Sequence, residues 1–318
     1  MPALATFGET MLRFSPASAE RLETTDTLEV HSGGAESNVA IIASNPGIDA
    51  AWLSKLPANA LGRRIARDHR ANGVQAAVAW DSSATGRLGT YYLEHGQDPR
   101  TAEVIYDRAD SSVTTATPAD LELDLIREAA YFLTSGITPA LSDTLRETTA
   151  ELLDVANEAG TSTVFDLNYR SKLWSRGDAR EVLNGLFSKI DVICGSESDV
   201  RHVLGYDGTV ERMAEALRAD YAADVVLVTR GPDGVVASDG EDRYEQPAYQ
   251  VDTVDPIGSG DAFLAGFLAY RMRDHSVPAA LDAGTATAAL SRTTKGDWAV
   301  ISSEDVSAVM DGEAGISR

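Results

Sequence analysis

The chain has 318 residues, of which 43% are hydrophobic and 24% are charged, and its formal net charge is −22 at pH 7. These fractions are typical of a globular protein and exclude a largely disordered one. So negative a charge repels nucleic-acid phosphates, and no window reaches the roughly 18 apolar residues of a membrane span, so neither nucleic acid nor membrane is an expected partner.

The elements in chain order are short apolar strands alternating with amphipathic helices. Strands are predicted at 3–8, 50–56, 74–80, 130–134, 162–167, 191–195, 224–229 and 235–238, and helices at 37–44, 60–72, 118–127, 142–158, 178–187, 197–204, 209–219, 259–274 and 277–293. This alternation predicts a mostly parallel sheet with helices on both faces, which binds its ligand beyond the carboxyl ends of the strands. The length fits one large α/β domain with an insertion as well as two domains.

Two segments, 11–31 and 87–109, interrupt this alternation. Residues 88–93 and 102–106 alternate apolar and polar side chains and lack a helical period. We expect antiparallel strands outside the main sheet that form a small β lid over the ligand cleft. An ordinary hairpin on the surface is the alternative.

The charge pattern and the single cysteine indicate the environment of the protein. Only four of the 27 basic side chains are lysines, and the 49 carboxylates are scattered along the chain. Such surfaces resemble those of proteins from salt-loving archaea, in which salt screens self-repulsion, although a merely acidic protein from a GC-rich genome is the alternative. Cys194 lies in an apolar run, where a small buried residue is expected. With no second cysteine and no signal-peptide pattern at the start, we expect a cytoplasmic protein.

The segment 255–263, Asp-Pro-Ile-Gly-Ser-Gly-Asp-Ala-Phe, carries the strongest chemical signal. Gly258, Ser259 and Gly260 form a turn directly before an apolar helix, and such a turn presents unpaired N–H groups to an anion. Two roles fit Asp261 in the first helical turn. It can stabilise the helix start, or it can act as the general base that takes a proton from an attacking hydroxyl.

Other nucleotide and metal motifs are absent from the sequence. There is no G-x-x-x-x-G-K-[ST] loop, which argues against a P-loop enzyme. Phe263 occupies the position at which a G-x-G-x-x-G fingerprint needs its third glycine, which argues against a dinucleotide-dependent dehydrogenase. The five histidines are dispersed. A second glycine-rich segment, 33–38, precedes a helix, and it is either a plain capped turn or a close backbone approach to a polar small molecule.

Residues 255–261 resemble the carboxy-terminal signature of the ribokinase/PfkB carbohydrate kinases, D-T-x-G-A-G-D, with Pro256 in place of Thr and Ser259 in place of Ala. The resemblance extends in order over 33–38, 166–170, 173–174 and 228–234. Within the family, the chain is most similar to the 2-keto-3-deoxygluconate kinases. The resemblance implies an α/β, ribokinase-like three-layer sandwich with a mostly parallel central sheet and a small β lid. It also implies one kinase domain over 1–318.

The resemblance also assigns site residues. Asp261 would be the catalytic base, and Gly258, Ser259 and Gly260 would form the anion hole. The sugar acid would contact Gly34, Asn38, Tyr91, Tyr106, Arg108, Arg170, Asp261 and Asp297. ATP would contact Asn168, Ser196, Thr229, Gly231, Gly234, Gly258, Gly260 and Thr285. Arg108 and Arg170 would orient the acid. The alternative is that both are solvated surface arginines, and that Tyr91 and Tyr106 only pack between lid strands.

The implied cofactors are ATP and Mg²⁺. The family often has Asn-x-x-Glu near the metal, whereas this chain has Ser196-Glu-Ser-Asp199. No direct protein ligand to Mg²⁺ is therefore assigned, and Asp199 would act through water. A helix-capping motif is the alternative interpretation of this segment.

The implied reaction is ATP-dependent phosphorylation of the terminal hydroxyl of 2-keto-3-deoxygluconate to the 6-phosphate, in a modified Entner–Doudoroff type pathway. One alternative is a kinase for a neutral sugar such as fructose or ribose, against which the two arginines argue. Another is a sugar-binding regulator of the same fold without catalysis, against which Asp261 argues. The sequence does not distinguish the gluconate-derived acid from its galactonate-derived epimer.

We also expect a homo-oligomer formed through the lid.

Overall fold

A nine-stranded sheet forms the centre of the computed structural model, which describes residues 1–17, 20–96 and 99–312. The strands are β1 (Leu4–Phe7), β2 (Met11–Ser15), β3 (Glu29–Gly33), β4 (Ala50–Pro57), β5 (Gln75–Asp81), β6 (Thr90–Glu94), β7 (Glu103–Asp107), β8 (Tyr131–Ser135), β9 (Ser162–Asp166), β10 (Val192–Ser196), β11 (Val225–Thr229), β12 (Val235–Ser238) and β13 (Arg243–Gln246). The main sheet has the order β13-β12-β11-β10-β9-β8-β1-β4-β5. It is parallel from β11 to β5, and β12 and β13 add an antiparallel edge. The predicted mostly parallel sheet is confirmed, and β13 was not predicted.

Helices cover both faces of this sheet. They are α1 (Ala35–Ser44), α2 (Ala60–Ala71), α3 (Asp124–Arg127), α4 (Asp143–Ala159), α5 (Arg176–Phe187), α6 (Glu197–Asp199), α7 (Val210–Tyr221), α8 (Ser259–Arg271), α9 (Val277–Ser291) and α10 (Ser303–Met310). One apolar core lies between the sheet and α1, α8 and α9, and the other lies between the sheet and α4, α5 and α7. The three-layer sandwich is therefore confirmed, and Cys194 on β10 is buried as predicted. No helix within the described ranges is both long and apolar enough to cross a membrane.

Helix α4 illustrates how the sequence sets the bounds of an element. The Ser142 hydroxyl accepts a hydrogen bond from the Leu145 N–H at 3.0 Å and so caps the first turn. Gly160 ends the helix with φ +75°, a left-handed conformation that favours glycine. Between these caps, Leu145, Leu152 and Ala156 recur at helical spacing and are fully buried.

The prediction of one helix over 118–127 is wrong. The chain forms a 3₁₀ turn at Pro118–Asp120 and then the separate short helix α3. Asp120 is the reason, because its carboxylate accepts hydrogen bonds from the N–H and the hydroxyl of Thr117 at 2.9 and 3.0 Å, which closes a capping box around a single turn. Leu121 then turns extended, with ψ 151°, and its side chain is buried.

The second sheet is the lid, with the order β3-β2-β6-β7. Both interrupting segments supply its strands, although 18–19 and 97–98 lie outside the described residues. The pairs β2–β3 and β6–β7 are antiparallel as predicted, whereas β2 and β6 pair in parallel, so the prediction of a purely antiparallel lid is wrong. The connections explain this, because β2 follows β1 and β6 follows β5. Both therefore leave the same edge of the parallel main sheet in the same direction.

Helix α2 carries a buried histidine, His69, in its last turn. The imidazole of His69 stacks on the Trp52 indole with ring centroids 4.1 Å apart, and both side chains are fully buried. Nδ1 of His69 lies 2.9 Å from the Ile65 carbonyl oxygen, and Nε2 has no partner within the described part of the chain. Burial lowers the pKa of His69 from 6.5 to about 4. The folded state therefore keeps the ring neutral at a pH where the unfolded chain takes up a proton.

We predict that this histidine makes the protein acid-sensitive. A depressed histidine pKa contributes stability above the unfolded value, and this stability is lost as the pH falls from about 6.5 towards 4. Between about pH 7.5 and pH 5 the loss should be on the order of 2 kcal/mol. His69→Phe keeps the aromatic stack and should flatten this pH dependence, whereas the exposed His202→Gln should not. Urea unfolding in molar KCl measures both, and an unchanged slope in His69→Phe would contradict the prediction.

Candidate active site

The carboxyl ends of β9, β10 and β11 meet the inner face of the lid around a cavity of about 370 Å³. A second cleft of about 310 Å³ opens beside it. The cavity and the cleft share Thr229, Pro256, Ser259 and Gly260 in their walls. This is the edge at which parallel α/β sheets bind ligands.

Every site residue predicted from the sequence lies in the wall of one of these two spaces. The cavity contains Gly34, Asn38, Tyr91, Tyr106, Arg108, Asn168, Arg170, Ser196, Asp199, Thr229, Gly258, Ser259, Gly260, Asp261 and Asp297. The cleft contains Thr229, Gly231, Gly234, Ser259, Gly260 and Thr285. The fold therefore brings together side chains that are more than 250 residues apart in the chain. All residues predicted to contact the sugar acid line the cavity, whereas those predicted to contact ATP are divided between the cleft and the cavity, with Asn168 and Ser196 in the cavity.

The turn before α8 is an anion nest at the junction of the two spaces. Gly258 caps the helix with φ +76°, and a Cβ atom there would lie 1.9 Å from the carbonyl oxygen of Asp297. Only glycine meets both conditions. Among the described residues, the N–H groups of Gly260 and Asp261 have no acceptor, while the Ser259 N–H makes a long 3.4 Å bond to Pro256. Free donors at the start of a 13-residue helix attract negative charge.

Asp261 lies at the base of the cavity in the first turn of α8. Its Oδ2 accepts a 2.7 Å hydrogen bond from Nδ2 of Asn38, which is held by the first turn of α1. Removal from solvent raises the pKa of Asp261 to about 8, the Asn38 bond lowers it, and the nearby Asp166 raises it. The carboxyl can therefore bind and release a proton near neutral pH, as a general base must.

Asp166 ends β9 close to Asp261. Its Oδ2 accepts a 3.0 Å hydrogen bond from Asn168, whose backbone has the left-handed φ of +39°. Removal from solvent raises the pKa of Asp166 to about 7, while the Arg170 guanidinium lowers it and the Asp199 carboxylate raises it. The carboxylates along this wall thus oppose one another's ionisation, so a bound cation would lower their pKa values.

The two predicted arginines have different surroundings. Arg108 is 8% exposed and forms an ion pair with Glu9 through Nε, at 2.8 Å, and through Nη2. The surface-arginine alternative is therefore wrong for Arg108. Arg170 is exposed on the cavity wall, and no carboxylate of the described residues lies within ion-pair distance of it. Arg170 is the guanidinium with free capacity for an anionic ligand.

The lid supplies an aromatic wall. The Tyr91 hydroxyl donates to Oδ1 of Asp297, and burial together with this carboxylate raises the pKa of Tyr91. Tyr91 and Tyr106 contact each other with centroids 5.9 Å apart, and the Arg108 guanidinium lies 5.6 Å from the Tyr106 centroid. Both tyrosines pack between lid strands and also line the cavity. The packing alternative is therefore confirmed, and contact of the two tyrosines with a ligand stays a prediction.

Ser196 caps the short helix α6, since its hydroxyl accepts from the Asp199 N–H at 3.0 Å. The capping alternative thus describes this segment, and both residues still line the cavity. No group of three or more metal-ligating side chains occurs in the described part of the chain. Mg²⁺ in kinases is commonly held by one or two carboxylates, waters and phosphate oxygens. Asp166 and Asp199 on one wall fit such a site.

Three buried charged residues of the site were missed from the sequence. Glu36 accepts hydrogen bonds from the Ser135 N–H and hydroxyl at 3.0 and 2.7 Å, and Glu9 pairs with Arg108. Arg13 bridges two carboxylates beneath the lid. One signal was available for Arg13, because the alternation within β2 places it on the same face as the apolar Met11.

Known proteins show the same fold and family. The model of the pfkB family carbohydrate kinases matches residues 1–303. A 2-dehydro-3-deoxygalactonokinase of Haloferax volcanii is 54% identical over 316 residues, which cover 99% of each chain. A 2-dehydro-3-deoxygluconokinase of Bacillus subtilis is 29% identical over 301 residues, covering 92% of this chain and 90% of its own length.

A crystal structure of 2-dehydro-3-deoxygluconokinase from Thermotoga maritima has a TM-score of 0.92 and 31% identity, and covers 97% of this chain and 98% of its own. The similarity to a Haloferax protein agrees with the halophilic interpretation of the acidic, lysine-poor surface. The chain therefore belongs to the pfkB family of carbohydrate kinases and has its ribokinase-like fold.

Proposed function

We propose that the protein is an ATP-dependent kinase that phosphorylates the terminal hydroxyl of a 2-keto-3-deoxy sugar acid in the cytoplasm. One observation carries the proposal: a carboxylate with a pKa near neutral, Asp261, stands beside an anion nest where the two spaces meet. The unpaired guanidinium of Arg170 in the same cavity supports an acidic rather than a neutral acceptor. The whole chain, 1–318, acts as one kinase domain in this proposal.

Two epimers are candidates for the acceptor. The sequence favoured 2-keto-3-deoxygluconate, and relatives named for that acid support it. The Haloferax relative, which is 54% identical, is named for the galactonate-derived acid and gives that epimer equal standing. The two acids differ at one hydroxyl stereocentre, so the panel of acceptors in each experiment below contains both.

The chemistry follows from the position of each group. Asp261 takes the proton of the attacking hydroxyl, and Asn38 keeps its carboxylate oriented. The N–H groups of Gly258–Asp261 stabilise the charge on the transferred phosphoryl group. Arg170 binds the acid with paired hydrogen bonds. Mg²⁺, when bound, neutralises phosphate charge, and Asp199 contacts it through water.

The remaining residues would position the two substrates. Asp297 and Tyr91, with Tyr106, Gly34 and Arg108, contact the sugar acid from the lid and from the turn before α1. On the nucleotide side, the cleft residues Thr229, Gly231, Gly234 and Thr285 contact ATP, and Asn168 and Ser196 lie near its phosphates.

A second copy of the chain would cover the outer face of the lid. Phe14 and Tyr92 stack there with centroids 5.5 Å apart, and Ile105 and Val30 extend the apolar strip. Ile105 is 48% exposed. We propose that this strip is the contact of a homo-oligomer.

Asp261→Asn is expected to fold and to lose turnover. A general base contributes roughly 10²–10⁴-fold, and the loss should appear in kcat with little change in the KM of the sugar acid. In the wild type, kcat/KM for the sugar acid should rise with pH as Asp261 loses its proton and then level off below about pH 8, because bound Mg²⁺ lowers the pKa of the carboxyl. Formation of ADP in molar KCl, quantified by chromatography, measures both. A variant that keeps more than about a tenth of the turnover would contradict the role of Asp261.

The same substitution has a stability signature that controls for misfolding. A raised carboxyl pKa contributes stability that is complete below the unfolded value of 3.8 and is lost as the pH rises through about 8. The wild-type protein without ligand therefore carries a penalty in alkaline buffer that Asp261→Asn lacks. We expect the Tm of the variant to exceed the wild-type Tm at about pH 8.5, and by less at pH 6.

Arg170→Ala is expected to lower kcat/KM for the sugar acid more than Arg108→Ala does, because Arg108 is already paired with Glu9. A hydrogen bond to a charged group is worth roughly 1.5–3 kcal/mol, or one to two decades in affinity. The wild type should prefer either 2-keto-3-deoxy acid over fructose by at least tenfold in kcat/KM, and Arg170→Ala should erode this preference without changing the KM for ATP. Arg170→Lys should not restore it, because lysine lacks the planar fork.

The control is Arg146→Ala, which removes an exposed ion pair with Asp143 on α4, outside the cavity and the cleft. A wild type that uses fructose as well as the acids would replace this proposal by a neutral-sugar kinase. Retained acid preference in Arg170→Ala would remove only the assignment of Arg170.

Ile105→Glu is expected to give a monomer, because it places a charge at the centre of the apolar strip. Sedimentation velocity in molar KCl should show an oligomer for the wild type and a monomer for Ile105→Glu. The matched control is Trp80→Glu, at an exposed apolar position of β5 outside the lid. A monomeric wild type would contradict the lid contact.

A further inference from the structure

Arg13 is a lid residue whose side chain reaches into the base of the active site. It lies on β2 and is 1% exposed. Its Nη1 donates to Oδ2 of Asp297 at 3.1 Å, and its Nη2 donates to Oδ2 of Asp255 at 2.9 Å. Nη2 also lies 2.8 Å from Nε2 of His95, and Nε donates to the Ser15 hydroxyl at 2.9 Å. Each nitrogen of the guanidinium therefore has a partner.

Both carboxylates that Arg13 holds belong to the floor of the anion nest. Asp255 opens the nest loop, and its oxygens also accept from the N–H groups of Ile257 at 3.1 Å and Gly296 at 3.3 Å. The carbonyl oxygen of Asp297 is the atom against which Gly258 packs. The side chain of Asp297 faces the cavity beside Tyr91. One guanidinium thus joins a lid strand, the nest and a residue of the sugar cavity.

Arg13 is the cation in contact with both buried carboxylates. Asp255 and Asp297 are both buried, and burial raises the pKa of Asp297 while Arg13 lowers it. His95 accepts a bond from Arg13 through its unprotonated Nε2, and burial lowers its pKa. Without Arg13, two carboxylates would remain buried with no cation in contact.

Stability alone does not account for this arrangement. Replacing a buried ion pair by apolar side chains of similar volume is often neutral or stabilising, because burying charges costs desolvation free energy. Apolar residues in place of Arg13 and both of its carboxylates would avoid that cost and could pack on Met11 and Tyr91. A fixed geometry is what the guanidinium adds, since its planar fork sets the directions of both carboxylates.

We propose that Arg13 is a positioning residue that couples the lid to the phosphoryl-transfer site: it orients Asp297 towards the sugar and fixes Asp255 beneath the anion nest. The proposal rests on the proposed function, in which Asp297 contacts the acceptor. Arg13 itself does not touch the reacting atoms. Its loss should therefore act on acceptor binding and on the nest, and not on binding of the nucleotide in the cleft.

The test compares Arg13→Ala and Arg13→Lys with Arg87→Ala, which removes a lid arginine from the exposed ion pair with Asp107. In Arg13→Ala we expect KM for the preferred sugar acid to rise roughly ten- to a hundredfold and kcat to fall, because two charged hydrogen bonds are lost. The Kd for ATP without acceptor should stay within about twofold of wild type. Arg13→Lys should give an intermediate KM, since one ammonium cannot orient both carboxylates. Arg87→Ala should match the wild type.

Chemical rescue separates positioning from general stability. Guanidinium chloride at roughly 10–50 mM, far below denaturing concentrations, should restore part of the acceptor KM in Arg13→Ala and should leave Arg13→Lys and Arg87→Ala unchanged. If Arg13→Ala fails to fold, the double variant Arg13→Ala/Asp255→Asn is used instead and is compared with Arg13→Lys. The second substitution removes one of the two carboxylates that would otherwise stay buried without a cation. A lower Tm with unchanged acceptor KM in the folded variants would overturn the proposal.

The order of measurements keeps the two proposals apart. The wild type is first assayed on both 2-keto-3-deoxy acids, fructose and ribose, which tests the proposed function alone. The Arg13 comparison then uses whichever acceptor the wild type prefers. If that acceptor is a neutral sugar, the acid assignment fails while a raised acceptor KM still supports Arg13. If it is an acid and KM is unchanged in both Arg13 variants, only the role of Arg13 fails.

Discussion

The contact between Gly258 and the carbonyl oxygen of Asp297 is the constraint on which the rest of the site depends. It permits only glycine at the start of α8, and it fixes the helix N-terminus against the loop that carries Asp297. Helix α8 is itself buried between α1 and α9, so its first turn has little freedom to move. Asn38 at the start of α1 therefore meets Asp261 at the start of α8. Two helix termini and one loop thus set the positions of Asp261 and the anion nest before any ligand binds, and such preorganisation is what the proposed phosphoryl transfer would require.

Electrostatics explains why this site needs its ligands. Glu36, Asp166 and Asp261 line one wall, where removal from solvent raises the pKa of each carboxyl, and the charges of Glu36 and Asp166 raise that of Asp261 further. The guanidinium of Arg170 lowers the pKa values of Asp166 and Asp261, so it offsets part of this negative charge. A bound cation would offset the rest and would leave the N–H groups of Arg170 available to an anionic ligand.

The parts of the fold and site that the sequence predicted are those governed by local signals. Short apolar runs identified the main-sheet strands other than β13, and the glycines at 258 and 260 predicted the nest, because both signals depend on neighbouring residues alone. The parallel pairing of β2 with β6 depends on the exits of β1 and β5 from the main sheet, which no local pattern encodes. The partners of Arg13 and Arg108 are buried carboxylates distant in the chain, so an arginine in a lid strand and one in a loop look alike in sequence. The break in the helix at 118–127 was missed because Asp120 fits both a helical turn and a capping box.

Three buried ion pairs attach the lid to the rest of the domain: Arg13 with Asp255, Arg13 with Asp297, and Arg108 with Glu9. Buried pairs of this kind suit an acidic, salt-adapted protein. Molar salt shortens the Debye length to about 3 Å and weakens attraction between exposed charges, so surface ion pairs would hold a lid poorly. Buried pairs are screened much less, because ions do not enter the space between them. The apolar contacts of Met11, Tyr91 and Leu93 add an attraction that salt does not weaken. The salt that screens the repulsion of a net charge of −22 therefore leaves the lid, and with it the wall of the cavity formed by Tyr91 and Tyr106, in place.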